Sequence, residues 1–334
     1  MGIMIRSGRQ RFFEGTEKKV EVRVSRGGGS LRKLGVERWS SVTRAARAKI
    51  LSKISSGCCD AYLLSESSLF VYDDKMMMRT CGRTTLAEAV VKLLEFVPAP
   101  RIRSLIYARK NENFPRRQPS RFQVDAALLG RNMSGRTVRL GSRDGQHLRL
   151  FHFGRPSAAS AADETVELIM HDIGPGARAV FRSSGCGGTG LIRERTGIHE
   201  LRPGFQVDDH VFRPRGYSLN AVRGRSYYTV HVTPEVRGSY ASFETNMRLS
   251  ARSFARTLAK VLGIFEPRAF ELVLFQPPDR ACPFDPCGPE KRSGPASVPT
   301  GYRLKGESRR KLSRGCEVRF LCFTEARMNN GDIG

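Results

Sequence analysis

The sequence predicts an α+β fold in which helices cover antiparallel sheets. Short segments rich in β-branched and aromatic residues come in clusters, with Gly, Pro, Asp and Ser turns between them. Helical patterns follow these clusters and do not alternate strictly with the strands. A doubly wound parallel sheet is disfavoured because it needs that alternation, and no Gly-x-Gly-x-x-Gly follows a predicted strand.

The predicted elements run along the whole chain. Strands are predicted over residues 19–24, 61–64, 69–72, 75–80, 166–170, 205–212, 226–233 and 318–323. Helices are predicted over residues 36–54, 85–97, 121–129 and 248–265. In the second helix, apolar residues recur every three or four positions on one face. Surface loops are predicted for the Gly-rich segments 27–29 and 185–190 and for the Pro-rich segment 277–299.

Length and composition predict one globular domain. The chain has 334 residues, of which 40% are hydrophobic, and a chain of this size can bury a large core. No stretch has the composition of a domain linker. We therefore expect a single domain over residues 1–334.

The charge balance is strongly basic, with 57 Lys and Arg against 32 Asp and Glu, or +25. On composition alone this favours nucleic acid or another anionic partner. The arginines are scattered through almost every segment, however, and only residues 101–121 and 308–314 are locally dense. Zinc-finger spacing, an aromatic RNA-binding motif and a basic zipper are all missing from the sequence. We therefore expect no nucleic-acid partner.

Three patterns concern the cellular compartment. The eight cysteines form no Cys-x-x-Cys pair, which is typical of reduced thiols and not of a zinc site or a disulfide framework. The basic N-terminal segment has no apolar core like that of a signal peptide, and no apolar run reaches the ~18 residues that span a membrane. We expect a cytoplasmic protein without a metal or a membrane partner.

Four features could carry chemistry, and each has a simpler structural explanation when taken singly. Ser67 lies between two predicted strands and could be a turn serine. Cys81 follows a strand and could be a small buried hydrophobic residue. His231 could be a satisfied strand histidine, and the acids of segment 12–18 could be solvated turn charges.

Together these features fall into blocks with a specific wording and order. The blocks are FFEGTEK (12–18), LSESSLF (64–70), TCG (80–82), GYSLN (216–220), HVTPE (231–235) and SYASFETN (239–246). In this wording and order the chain resembles the eukaryotic S-adenosylmethionine decarboxylases over nearly its whole length. The resemblance implies a four-layer α-β-β-α sandwich with two antiparallel eight-stranded sheets. It also implies a homodimer of cleaved protomers.

The resemblance implies that the chain is a proenzyme that makes its own cofactor by self-cleavage between Glu66 and Ser67. The Ser67 hydroxyl attacks the Glu66 carbonyl, the amide becomes an ester, and elimination leaves a pyruvoyl group on residues 67–334. Residues 1–66 stay bound as the small chain. A serine needs a base and a stabilised intermediate for such a step. The matching residues are His231 as the base and Ser218 beside the scissile carbonyl, and the pattern assigns the nucleophile to Ser67 and not to Ser68.

The implied activity is decarboxylation of S-adenosylmethionine to S-adenosylmethioninamine, the aminopropyl donor for spermidine and spermine. The pyruvoyl group of Ser67 forms a Schiff base with the substrate and accepts electrons as the carboxylate leaves. The substrate carbon must then be reprotonated. Cys81 matches the proton donor, and a thiol pKa of about 8.5 suits that role.

The resemblance also implies a set of substrate-binding residues. Two aromatic rings sandwich the adenine, one backbone position reads the adenine edge, one acid accepts hydrogen bonds from the ribose, and further acids line the site around the sulfonium. Phe13 and Phe212 match the two rings, Leu64 matches the backbone position, and Glu235 matches the acid at the ribose. The acids that match those around the sulfonium are Glu14, Glu17 and Glu66.

A second acidic set matches the residues that bind putrescine in the animal enzymes, where the diamine acts as an activator. The set is Glu21, Asp163, Glu167 and Glu244. Lys19 departs from the animal pattern, because it stands where the animal enzymes have an apolar residue and the putrescine-independent plant enzymes have Arg. Arg79 replaces the usual Lys, whereas Ile106 and Phe275 are apolar as in the animal type. Putrescine dependence therefore stays open, and the pattern favours a retained but weakened effect.

Two alternatives belong to other functional classes. The chain could be a catalytically inactive paralogue that regulates a partner, but such paralogues lack the serine or its partners, and here Ser67, Cys81, Ser218 and His231 are all present. The charge alone would support a protein that binds an anionic partner, with an affinity that falls as salt rises.

Overall fold

The computed structural model describes residues 17–65, 67–154, 164–213, 215–277, 280, 282–285, 297–312 and 315–326. Four residues that the sequence singles out lie outside these ranges, namely Phe13, Glu14, Glu66 and Asp163.

The described residues form two antiparallel eight-stranded sheets, as the sequence and its resemblance predict. The first sheet contains β1 (Lys18–Val24), β2 (Ile50–Ser55), β3 (Asp60–Leu64), β4 (Ser67–Val71), β5 (Lys75–Thr80), β6 (Ile102–Lys110), β7 (Arg136–Gly141) and β8 (His147–Gly154). The second contains β9 (Thr165–His171), β10 (Gln206–Val211), β11 (Tyr217–Arg223), β12 (Ser226–Thr233), β13 (Tyr240–Thr245), β14 (Ala269–Gln276), β15 (Tyr302–Lys311) and β16 (Glu317–Glu325). The strand orders are β2-β3-β4-β5-β1-β6-β8-β7 and β10-β11-β12-β13-β9-β14-β16-β15.

Five α-helices cover the outer faces of the sheets within the described residues. They are α1 (Gly35–Ala45), α2 (Leu86–Leu94), α3 (Phe122–Gly130), α4 (Pro175–Thr196) and α5 (Ala251–Phe265). The first three pack on the first sheet, where Val20, Val22 and Val24 of β1 join one apolar cluster with α1, α2 and α3. The last two pack on the second sheet in another cluster. This is the expected four-layer sandwich.

The layer between the two sheets is apolar at both ends and polar in the middle. One end holds a cluster of Cys59, Ala61, Phe70, Tyr72, Met77, Val222 and Tyr227. The other end holds a cluster that includes Leu150, Ile169, Val273 and Phe320. Between them lie buried polar and charged residues of both sheets. Since unpaired polar groups are costly away from water, this middle region must satisfy its charges and hydrogen bonds internally.

Several predicted elements are correct, and two predictions are wrong. The helix predicted over residues 36–54 ends at Ala45, because Arg47 adopts a positive φ of 62° and the chain then enters strand β2. The loop predicted over residues 185–190 is part of α4, although Gly188 interrupts the helix with φ 62° and ψ −158°. Arginines within strands such as β6, β7 and β15 hide the apolar pattern that would have predicted them.

No helix of the described residues is both long and apolar enough to cross a membrane.

Candidate active site

The turn between β3 and β4 holds Ser67 in an unusual backbone conformation. Leu64 and Ser67 are paired across the two strands, so Ser65 and Glu66 form the connection. Ser67 is only 1% exposed and has a φ of 128°, a value that residues other than glycine rarely adopt. Backbone strain at a buried serine favours rearrangement of the preceding peptide bond, because the rearrangement can release the strain.

Ser67 lies beside Cys81. Ser67 pairs with Thr80 of β5, and Cys81 is the next residue after that strand. The Ser67 hydroxyl donates a hydrogen bond to the Cys81 sulfur at 3.3 Å. The structure therefore joins the predicted cofactor precursor and the predicted proton donor, which are 14 residues apart in the chain.

Ser218 and His231 meet in the β11–β12 hairpin of the second sheet. The antiparallel register places them directly opposite each other. The Ser218 hydroxyl lies 2.8 Å from Nδ1 of His231, and both residues are buried. A tight hairpin brings these two predicted processing residues together.

His231 also reaches across to the first sheet, where it contacts Ser68. Its Nε2 lies 3.3 Å from the Ser68 hydroxyl and 3.0 Å from the hydroxyl of Thr229. Ser68 donates a second hydrogen bond to the amide oxygen of Asn220 at 2.6 Å. The base predicted for Ser67 thus contacts the following residue, and the sequence did not single out Asn220 or Thr229.

The environment keeps His231 neutral. Burial lowers the pKa of His231 from 6.5 to about 3, and the positive charge of Arg79 acts in the same direction. A neutral imidazole can accept a proton, whereas an imidazolium cannot. His231 is therefore neutral across the physiological pH range, and its low pKa makes it a weaker base than a free imidazole.

Lys18 supports the segment that carries Cys81, although no feature of the sequence singles it out. It is 1% exposed and donates to the Gly82 carbonyl at 3.1 Å, to the Thr84 hydroxyl at 3.4 Å and to the Gln118 amide oxygen at 2.8 Å. Burial, with a contribution from Arg109, lowers the pKa of Lys18 to about 8. The block FFEGTEK contains Lys18, but a lysine at the start of a strand gives no sign of its own that it is buried.

A charged cluster occupies the centre of the layer between the sheets. Arg79 contacts Glu17, Glu167 and Glu244 through its two terminal nitrogens. Lys19 lies 2.6 Å from Glu167 and 3.1 Å from Glu244. All five side chains are at least nine-tenths buried. Two cations from the first sheet thus pair with two acids of the second sheet and with Glu17.

The charges of this cluster nearly cancel. Burial alone would raise the pKa of Glu167, but Lys19 and Arg79 lower it below its usual value, so this group is ionised. Burial raises the pKa of Glu17 in spite of Arg79 and a hydrogen bond from Ser242. When Glu17 holds a proton, two carboxylates remain opposite two cations. Such pairing reduces the large cost of buried charge.

The predicted putrescine set is only partly brought together. Glu167 and Glu244 lie next to each other on paired strands and share both cations. Glu21 instead pairs with Arg23 on the same strand at 2.9 Å. Asp163 lies outside the described residues.

Three described residues of the predicted substrate-binding set, Leu64, Phe212 and Glu235, lie at or just after the ends of strands. Leu64 is buried at the end of β3 and pairs with Ser67. Phe212 follows β10, and its amide donates to the Gly216 carbonyl at 2.9 Å, where Gly216 has a φ of 134°. Glu235 accepts a contact from Arg215 at 3.0 Å. Arg215 therefore forms an ion pair with the carboxylate that is predicted to bind the ribose.

Within the described ranges, no group of three or more His, Cys, Asp or Glu side chains is arranged to hold a metal ion.

Comparison with known proteins identifies the family. A model of the adenosylmethionine decarboxylase family matches residues 10–324. The S-adenosylmethionine decarboxylase proenzyme of Dictyostelium discoideum is 32% identical over 327 residues, covering 92% of this chain and 84% of that protein. The proenzyme of Xenopus laevis is 32% identical, covering 79% and 83%, and that of Ipomoea nil is 31% identical, covering 93% and 90%.

A solved structure shares the fold. The Trypanosoma brucei AdoMetDC-delta26 monomer is 25% identical and superposes with a TM-score of 0.58, covering 77% of this chain and 99% of that one. Fold and matches together define an enzyme of the carboxy-lyase class. The chain belongs to the adenosylmethionine decarboxylase family.

We predict that Arg79→Met destabilises the protein by ~3–5 kcal/mol, because it leaves buried carboxylates without their main cation. The measurement is urea unfolding at pH 7, followed by the fluorescence of the single, buried Trp39. Lys92→Met is the matched control, since its pair with Glu95 is largely exposed, and it should cost less than ~1 kcal/mol. Equal losses in the two variants would contradict the importance of the cluster.

Proposed function

We propose that this chain cleaves itself between Glu66 and Ser67 and then decarboxylates S-adenosylmethionine with the resulting pyruvoyl group, in the synthesis of spermidine and spermine. The observation that carries the proposal is the buried Ser67, with its φ of 128°, in hydrogen-bond contact with Cys81. The inactive regulatory alternative is weaker, because Ser218 and His231 are paired and lie next to this turn through Ser68.

Processing requires only groups of the chain and one water. The Ser67 hydroxyl adds to the Glu66 carbonyl carbon, the C–N bond breaks, and an ester with a free amine on Ser67 results. A base takes the proton from the Ser67 Cα, and the ester oxygen leaves with the Glu66 carboxylate. The dehydroalanine that remains tautomerises to an imine, and hydrolysis of the imine releases ammonia and leaves the ketone.

Neutral His231 is suited to remove the Cα proton, because it reaches the residue next to Ser67. Ser218 contacts Nδ1 of His231 and thereby fixes the orientation of the imidazole. The strained backbone at Ser67 favours the ester, because conversion of the amide removes the constraint on that peptide.

The site also fits the pyruvoyl group. This group would supply a carbonyl that accepts the electron pair released with CO₂. The Cys81 sulfur lies 3.3 Å from the hydroxyl of Ser67, the residue that would become the pyruvoyl group, and would hold a proton beside the reacting carbon. Lys18 positions the Cys81 segment through the Gly82 carbonyl and the Thr84 hydroxyl.

For the substrate, Phe212 would stack on the adenine, Leu64 would offer its backbone to the adenine edge, and Glu235 would accept the ribose hydroxyls. Phe13, Glu14 and Glu66 complete the proposed set. Glu17 would contribute its carboxyl group to the site, where Arg79 and Ser242 donate hydrogen bonds to it. Arg215 must release Glu235 before the ribose can bind there.

Lys19 and Arg79 support a weakened role for putrescine. The diamine would bring two positive charges to Glu167 and Glu244, and these carboxylates already contact both side chains. We propose that the internal cations carry most of the activating effect. A homodimer of cleaved protomers and a cytoplasmic location remain predictions.

We predict that the purified protein consists of two chains, residues 1–66 and 67–334, on a denaturing gel and by intact mass, with the larger chain blocked to Edman sequencing. Ser67→Ala should stay uncut, because it lacks the nucleophile. Ser68→Ala is the control and should still cut at the same bond, more slowly, because it changes a contact of His231. Cutting of Ser67→Ala would refute the assignment. A parent protein that stays uncut with or without putrescine would favour the inactive paralogue.

We predict that Cys81→Ala cuts normally but decarboxylates about 10²–10⁴ times more slowly, since it loses the general acid. Release of CO₂ from carboxyl-labelled S-adenosylmethionine measures the rate. Intact mass should also show the cofactor converted to an N-terminal alanine by protonation at the wrong carbon. Cys58→Ala, which changes another partly exposed thiol, should keep the parent rate. An unchanged rate in Cys81→Ala would exclude it as the donor.

We predict that Lys19→Leu makes decarboxylation depend on putrescine. The variant should be slow without the diamine and be activated at least about fivefold by it, whereas the parent should respond less than about twofold. The initial rate over a putrescine titration tests this, with Lys92→Leu as a control at a partly exposed surface ion pair. The same activation in parent and variant would show that Lys19 does not replace the diamine.

A further inference from the structure

A basic cavity lies on the outer side of the first sheet, and its lining includes none of the residues proposed to bind or act on the substrate. It has a volume of about 640 Å³. Its lining comes from the ends of β6 and β8, from the segment before α3 and from the first turn of α3. Among the described residues of the lining, the basic ones are Arg109, Lys110, Arg116, Arg121, His147 and Arg149, and the one acid is Glu112.

The strand register concentrates positive charge at this place. Lys18 of β1 pairs with Arg109 of β6, Arg109 with Arg149 of β8, and Arg149 with Arg139 of β7. Four neighbouring strands therefore carry a cation in one row on the same face of the sheet. Like charges directly opposite each other destabilise a sheet unless something neutralises them.

Acidic side chains neutralise one inner member of this row, Arg109. Arg109 contacts Asp125 at 2.6 Å and also Glu112. Among the described residues, Arg149, Arg116 and Arg121 have no carboxylate within ion-pairing distance.

The pKa of His147 reflects the same positive environment. Burial lowers the pKa of His147, and the charges of Arg139, Arg149 and Lys110 lower it further. The two sequence segments that meet here, 101–121 and 139–149, carry seven and three Lys and Arg residues, and the proposed decarboxylase site takes no reacting group from either segment.

We propose that this cavity binds a small anion that carries phosphate groups. Arginines prefer phosphate because their planar nitrogens form paired hydrogen bonds with its oxygens. Arg149 lies on the sheet and Arg116 on the segment before α3, so they face a ligand from two sides. Pro115, Phe122 and Val124 line the remainder of the cavity and provide an apolar wall for an organic part of the ligand. The concave shape favours a small molecule over an extended polymer.

Titration calorimetry with inorganic pyrophosphate, on the full-length protein as purified and in 0.15 M salt, tests the proposal. The double variant Arg116→Gln/Arg149→Gln should bind pyrophosphate about tenfold more weakly or worse, because it loses two charge-assisted contacts. The matched control is Arg256→Gln/Lys260→Gln, which removes the same charge from exposed positions on α5. The control should change the affinity less than about twofold, as expected for distant surface charges.

Three results would overturn the proposal. No binding of pyrophosphate by the parent at millimolar concentration would exclude the site. Equal weakening in both double variants would show that the net charge, and not the cavity, attracts the anion. The parent and both double variants are also titrated with a 20-nucleotide single-stranded DNA, which represents a polyanion. If the cavity variant weakens DNA binding but not pyrophosphate binding, the basic surface serves a polyanion. Circular dichroism of each variant checks folding, and the result does not depend on decarboxylation.

Discussion

The structure depends on the neutralisation of carboxylates in the layer between the two sheets. Glu167 and Glu244 lie far from water, and their burial is tolerable because Arg79 and Lys19 reach them from the opposite sheet. Apolar clusters flank this region on both sides. Because ion pairs of this kind require close contact, they also fix how the first sheet lies over the second. The same alignment brings Ser68 of β4 to His231 of β12.

The charged cluster and His231 are electrostatically linked. Arg79 neutralises the acids and also contributes to the low pKa of His231, which keeps the imidazole in its basic form. A single buried cation thus supports both the packing of the sheets and the neutral state of His231 that the proposed processing step would use. Local geometry adds the remaining parts: a hairpin register opposes Ser218 to His231, and the β4–β5 pairing brings Ser67 to Cys81.

Strand β1 shows how far sequence patterns lead and where they fail. Its alternation correctly predicts a strand with Val20 and Val22 on an apolar face. The same pattern would place Lys19 in solvent, because alternating charges usually mark an exposed face. Here both faces are covered, since a second sheet packs on the polar one, and no local pattern encodes that sheet. For a related reason several arginine-rich strands, among them β6 and β7, were missed.

The sequence by itself determined the fold class, half of the strand positions, four of the five helices in the described residues, and the family, because blocks such as LSESSLF and HVTPE keep their wording and order. It also indicated which residue types could perform the chemistry. Only the tertiary structure decided that Ser67 has a strained backbone beside Cys81, that Lys18 supports the Cys81 segment, and that Lys19 lies between carboxylates. Each of these depends on contacts between strands distant in the chain or on the conformation of a single turn, and both are set by packing and not by local sequence preference.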